Sequence, residues 1–138
     1  LKRISAKIKF ISDGDVLGAI YTCMDDFKVD MYVGIGGAPE GVLAAAAIKC
    51  FGGQFQGRLV ISNNDEKLRA TKLGITDMKK KYYLNDIIKG DVIFCAAGVT
   101  DGEMLKGIRV EGSNFLSDLL ISHSEGKVTK IYTQTLEI

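Results

Sequence analysis

Of the stretches that set carboxylates beside glycine, two could carry chemistry most readily. Asp13-Gly14-Asp15 holds two acids around a flexible residue, and residues 34–41 read GIGGAPEG, with Glu40 next to the only proline, Pro39. Glycines let a backbone come close to a ligand, and successive N–H groups can form an anion-binding concavity. Proline favours the first helical position, so a helix is expected to open here. A helix start carries unpaired donors and partial positive charge, which suit a phosphate or sugar oxygen. Glu40 falls in that first turn, where its carboxylate is favoured electrostatically and is expected to point toward the same rim. An acidic oxygen beside an anion site is what a bridging Mg²⁺ or Mn²⁺ requires. The alternative is that Glu40 only offsets the helix dipole and the glycines only make a tight turn; the residues alone leave both open. Asp13 and Asp15 can accept hydrogen bonds from sugar hydroxyls or hold a metal, although a turn followed by an Asp15 helix cap is the simpler reading.

Other chemistry-bearing residues have plainer readings. Residues 98–102 (GVTDG) make a third glycine turn after a strand, and a structural turn is favoured there. His123, the sole histidine, has no partner in sequence and is expected at the surface near a hairpin turn. The run Lys79-Lys80-Lys81-Tyr82-Tyr83 looks like a nucleic-acid contact, but one such run in a chain of net charge +1 reads as a solvated loop. No nucleic-acid partner is expected.

The elements that would position these turns follow from periodicity. Residues 6–11 (AKIKFI) and 29–35 (VDMYVGI) read as strands, and 54–61 as a third. Residues 16–24 read as a mostly buried helix, 40–51 as an Ala-rich helix closed by Gly52-Gly53, and 63–73 as an amphipathic helix with an Asn cap and Gly74 as stop. Residues 82–84 suggest a brief strand before a short helix capped by Asn85. Residues 91–97 (DVIFCAA) form the clearest buried strand, and the chain from residue 113 alternates as a closing hairpin turning at 124–127. Strand–helix alternation predicts an α/β fold: a mostly parallel sheet flanked by helices, made mixed by the hairpin at one edge. In such a sheet ligands bind beyond the strands' carboxyl ends, so the three glycine turns are expected on one rim. No repeat or low-complexity tract divides residues 1–138, which predicts a single domain.

The chain has 138 residues, with 46% hydrophobic and 25% charged, as in ordinary globular proteins. Lys and Arg number 18 against 17 for Asp and Glu, so no global pull toward nucleic acid or an anionic membrane exists. Cys23, Cys50 and Cys95 are far apart among apolar neighbours and predict buried, reduced thiols, hence a cytoplasmic setting. No apolar run reaches the roughly 18 residues of a membrane span. The opening Leu1-Lys2-Arg3 is neither an initiator Met nor a signal peptide and reads as the tail of a helix, so a longer chain is expected.

At these same turns the sequence resembles the class II fructose-1,6-bisphosphatase family. The matching stretches are DGDVLGAI (13–20), VDMYVGIGGAPEGVLAAAAIKCFGGQFQGRL (29–59) and GDVIFCAAGVTDGEMLKGI (90–108), in the family's order and with similar spacing. The resemblance implies that Asp13, Gly14 and Asp15 contact a sugar bisphosphate, that Gly37 adds a backbone contact, and that Glu40 binds a catalytic divalent metal, Mn²⁺ or Mg²⁺. It also implies a fold similar to the C-terminal domain of lithium-sensitive sugar phosphatases. The reaction it implies is hydrolysis of the 1-phosphate of fructose 1,6-bisphosphate in gluconeogenesis, with a homo-oligomer expected for the intact enzyme. Only the family's second half is matched. Its other metal-binding carboxylates lie in the first half, so this chain alone is expected to be inactive. Competing readings are a stand-alone sugar-phosphate-binding module, a sedoheptulose-1,7-bisphosphatase, and a redox Rossmann domain. The last is disfavoured because 34–41 lacks a clean GxGxxG opening and no acid ends the next strand.

Overall fold

A computed structural model describes residues 2–12, 14–125 and 128–137. Helix α1 spans Asp15–Tyr21 and α2 spans Ala38–Phe51. The chain enters α1 through Gly14 at φ +83, a left-handed conformation that costs glycine little. Gly14 is therefore the N-cap and Asp15 the first helical residue, which corrects the expected Asp15 cap. Proline near the start and Gly52 in the left-handed conformation at the end bound α2 as its sequence predicts. Small side chains let the two helices approach closely: Gly18, Ala19, Ala44 and Ala47 are all buried. A Cβ on Gly18 would stand 2.9 Å from both Ile11 Cδ1 and the Tyr32 ring, so a larger residue there would push these two side chains aside.

Helix α3 spans Asn64–Lys72, and the Asn63 side chain accepts from Glu66 N at 2.9 Å, as the cap motif predicts. Strands β1 (Gln56–Gly57) and β2 (Tyr82–Tyr83) pair antiparallel, and α4 (Leu84–Ile87) follows directly. Asp86, rather than Asn85, caps α4 by accepting from Tyr83 N at 2.9 Å.

The main sheet differs from the parallel one expected. Strands β3 (Ile93–Ala97) and β4 (Arg109–Glu111) both pair antiparallel with β5 (Asn114–His123), and β6 (Val128–Glu137) pairs antiparallel along its other edge. The turn expected at 124–127 falls partly on residues 126 and 127, which lie outside the described residues. Residues 6–11 and 29–35 form no strand, and only two residues of 54–61 do. Alternating apolar residues make a strand profitable, but a ladder also needs partners for each N–H and C=O. The hairpin offers β3 an antiparallel partner nearby, whereas parallel pairing needs strands brought together from far along the chain.

The core lies between α1, α2 and one face of this sheet. Ile20, Ala47, Cys50, Phe94, Leu105 and Leu120 form one buried cluster, and Ala19, Ala44 and Ile48 a second beneath Tyr32 and Phe55. Cys50 is buried, Cys23 half-buried, and Cys95 exposed on the sheet's other face, so the expectation of buried thiols fails at Cys95. Lys49 Nζ donates to Gly90 O at 2.6 Å, tying α2 to the approach to β3.

Asp118, buried on β5, organises the loop between β3 and β4. Its Oδ2 accepts from Lys106 N at 2.9 Å, and its Oδ1 accepts from Thr133 Oγ1 at 2.9 Å and Arg109 Nη2 at 3.2 Å. The backbone donor at Lys106 chiefly, with help from Thr133 and Arg109, holds its carboxyl below the usual carboxylate range. A carboxyl whose folded pKa is depressed stabilises the fold above its unfolded pKa, about 3.9, and loses that contribution as pH falls through the folded value. Asp118→Asn should therefore lower the Tm by several degrees at pH 7. The gap from the unsubstituted chain should narrow steadily in melts between pH 5 and pH 3. A gap independent of pH would contradict this assignment.

Candidate metal and substrate rim

The two acidic turns meet at one place. An ideal Cβ on Gly36 would stand 3.1 Å from Asp15 Oδ2 and 3.1 Å from Glu40 Oε2, so the two carboxylates flank this glycine. Any side chain at 36 would fill the space between them. Asp15, at the start of α1, is held from the irregular segment before α2: Tyr32 Oη donates to its Oδ1 at 3.0 Å. Burial foremost, and then donation to this carboxylate and its charge, raise the Tyr32 pKa. Glu40 is held by its own helix start, where Gly37 N donates to Oε2 at 2.7 Å. That bond caps the helix start and goes with the helix-dipole role weighed above. It leaves the carboxylate exposed at the mouth of α2.

The structure thus brings Asp15, Gly37 and Glu40 together, with Gly14 immediately before Asp15. Asp13 lies outside the described residues. The turn at 98–102 is occupied by contacts of its own: Gly102 N donates to Leu105 O at 2.9 Å, and Asp101 Oδ1 accepts from Gly107 N at 2.9 Å. Those bonds fit the structural turn expected there. His123 is half-buried, and its Nδ1 accepts from Glu125 N at 3.1 Å within the hairpin. Lys80 stands 4.9 Å over the Tyr82 ring and 3.9 Å from Asp86, so this basic residue is engaged within the chain.

Sequence reading missed Tyr32 and Gly36. Alternation in 29–35 sets residue 32 with Asp30 and Gly34, opposite the apolar positions, so Tyr32 became visible only once it packed on Ala19, Ala44 and Ile48. Gly36 stood within the glycine run but had no feature to separate it from its neighbours until α1 and α2 were placed side by side.

Carboxylates on either side of a glycine, each at the start of a helix, give this mixed α/β fold an acidic, glycine-rich rim. The model of the family described as "Bacterial fructose-1,6-bisphosphatase, glpX-encoded" matches residues 1–135, and the chain belongs to that family. It is 34% identical over 144 residues to the class 2 fructose-1,6-bisphosphatase of Haemophilus influenzae, covering 94% of this chain and 43% of that protein. Two Synechococcus proteins, from strains JA-2-3B'a(2-13) and JA-3-3Ab, carry the name D-fructose 1,6-bisphosphatase class 2/sedoheptulose 1,7-bisphosphatase. Each is 32% identical over 143 residues, covering 94% of this chain and 41% of its own length. The chain spans less than half the length of these curated relatives.

Proposed function

We propose that this chain is the substrate-binding and metal-binding part of a phosphatase that hydrolyses the 1-phosphate of fructose 1,6-bisphosphate in gluconeogenesis. The observation that carries the reading is the convergence of Asp15 and Glu40 on Gly36 at the opening of α2. Family membership supplies the substrate class. The Synechococcus relatives' names support sedoheptulose 1,7-bisphosphate as a second substrate, since it presents similar phosphates to the same turns.

The residues present fit a hard divalent cation in part. Carboxylate oxygens are the ligands Mg²⁺ and Mn²⁺ prefer. Yet among the described residues no group of three or more His, Cys, Asp and Glu side chains is placed to hold a metal. Glu40 would supply one ligand, and the remaining ligands would come from outside this set. When bound, the metal neutralises charge on the phosphoryl group and activates water. Asp13 and Asp15 would accept hydrogen bonds from sugar hydroxyls, with Tyr32 fixing the direction of the Asp15 carboxylate. Backbone at Gly14 and Gly37 would let the sugar phosphate approach closely, and the start of α2 would favour its negative charge. In this reading the isolated chain turns nothing over.

The test is phosphate release from fructose 1,6-bisphosphate, with and without Mn²⁺, by this chain alone and by this chain joined to the part of the Haemophilus influenzae relative that it does not match. Mn²⁺-dependent release only from the joined protein is expected. Equal release from the isolated chain, or none from a folded joined protein, would overturn the reading.

A further inference from the structure

One face of the main sheet packs on α2, and the other is open and apolar. Register places Phe94 with Ser122 and Ala96 with Leu120 on the inner face. It places Ile93, Cys95 and Ala97 of β3 with Ile121 and Leu119 of β5 on the outer one, where Val110, Phe115 and Leu136 continue the row. Ile93 is 61% exposed, Val110 64% and Leu136 63%. An antiparallel sheet with a solvated face normally alternates apolar residues inside with polar ones outside. Here the outer positions of β3, β4 and β5 carry no Lys, Arg, Asp or Glu. Register on β6 adds one basic position, Lys130, opposite Ile121. By contrast, the exposed side of α3 is charged, so the chain does make polar surface where water is the neighbour. The unpaired segments repeat the pattern, with Phe10 91% and Ile35 83% exposed.

A sheet apolar on both faces is a middle layer. Its first covering layer is α1 and α2. We infer that the second is a layer with an apolar face supplied by the larger part of the family's polypeptide, which this chain does not span, docked over Ile93, Cys95, Val110, Phe115 and Ile121. The inference rests on the reading that this chain works with that part, and the relatives' length supports the choice: the match covers 43% and 41% of it. An apolar surface this continuous marks an interaction site rather than free surface.

Cys95 reports on the face directly. The test compares its rate of maleimide labelling in the chain alone with that in the chain joined to, or co-expressed with, the unmatched part of the Haemophilus influenzae relative. Labelling about tenfold slower in the assembly is expected, as for a site reached only by local opening. Ile121→Lys should restore fast labelling in the assembly while leaving the isolated chain's melting temperature unchanged. Equal labelling rates in a soluble assembly would overturn the inference. So would a chain that alone has twice its mass in light scattering and protects Cys95, since the occupant would then be a second copy. Neither readout depends on phosphate release, so the inference can fail while the proposed activity stands, and the reverse.

Discussion

Glu40→Gln, made in the chain joined to the rest of the family's polypeptide, should lower Mn²⁺-dependent phosphate release about a thousandfold or more while the fold survives. Replacing one carboxylate oxygen by an amide removes the charge that a divalent cation needs. A metal's stabilisation of the transferring phosphoryl group is worth several kcal/mol. The same substitution is mild for stability because the glutamine amide oxygen can still accept from Gly37 N, the bond Glu40 Oε2 makes at 2.7 Å. What is lost at the helix start is the charge–dipole attraction, about 0.3–1 kcal/mol. Activity and stability should therefore separate cleanly. A variant with near-unchanged turnover would remove Glu40 from the metal site. A variant that unfolds would show that its helix-capping role dominates.

Gly98→Ala should be the most damaging single-methyl change for stability. Gly98 is buried, its N donates to Asp118 O at 2.9 Å, and its carbonyl accepts from Ser117 Oγ at 3.1 Å, so the backbone is fixed on both sides. A Cβ there would overlap the Lys106 carbonyl oxygen and lie 2.9 Å from the Lys106 carbonyl carbon. Both neighbours are backbone, which cannot rotate away as a side-chain end would. The cost should be about 3 kcal/mol, roughly 10 °C in Tm for a domain of this size. Gly41→Ala is the matched control. A Cβ on Gly41 meets nothing within 4 Å, and the residue lies inside α2, where alanine is favoured over glycine by about 1 kcal/mol. Thermal melts should show the two substitutions moving in opposite directions. Equal shifts would mean that the loop carrying Lys106 yields more readily than its hydrogen bonds imply.

The contrast also shows what was legible in the sequence. Helices with terminal signals were readable: the Asn cap of α3, which proves to be Asn63, Pro39 with Gly52 for α2, and Gly74 after α3 all do what their types predict, because capping is settled within four residues. The antiparallel pairing of β5 with β6 was readable because their strands alternate and lie next to each other in the chain. Strand pairing was not. Residues 29–35 have the composition of a strand, but composition does not say which backbone lies beside it, and among the described residues they pair with none. The strand β4 was missed because three residues give too short an alternation to detect. At the rim, the residue types that suit a cation and an anion were visible from spacing alone. That Asp15 and Glu40 flank the same glycine depends on α1 packing against α2, and Tyr32 enters only through that packing. Cys95 was misread because an apolar run fits a strand buried on both faces, whereas one face of β3 is open in this chain.

The most direct test of the central claim is a crystal structure of the joined protein with Mn²⁺ and fructose 1,6-bisphosphate, read by the anomalous signal of manganese. The account predicts a peak at bonding distance, about 2.1 Å, from a Glu40 carboxylate oxygen, with the sugar phosphate lying between that ion, Gly37 and the Asp15 carboxylate. A peak held elsewhere, with Glu40 still bonded only to Gly37 N, would contradict it.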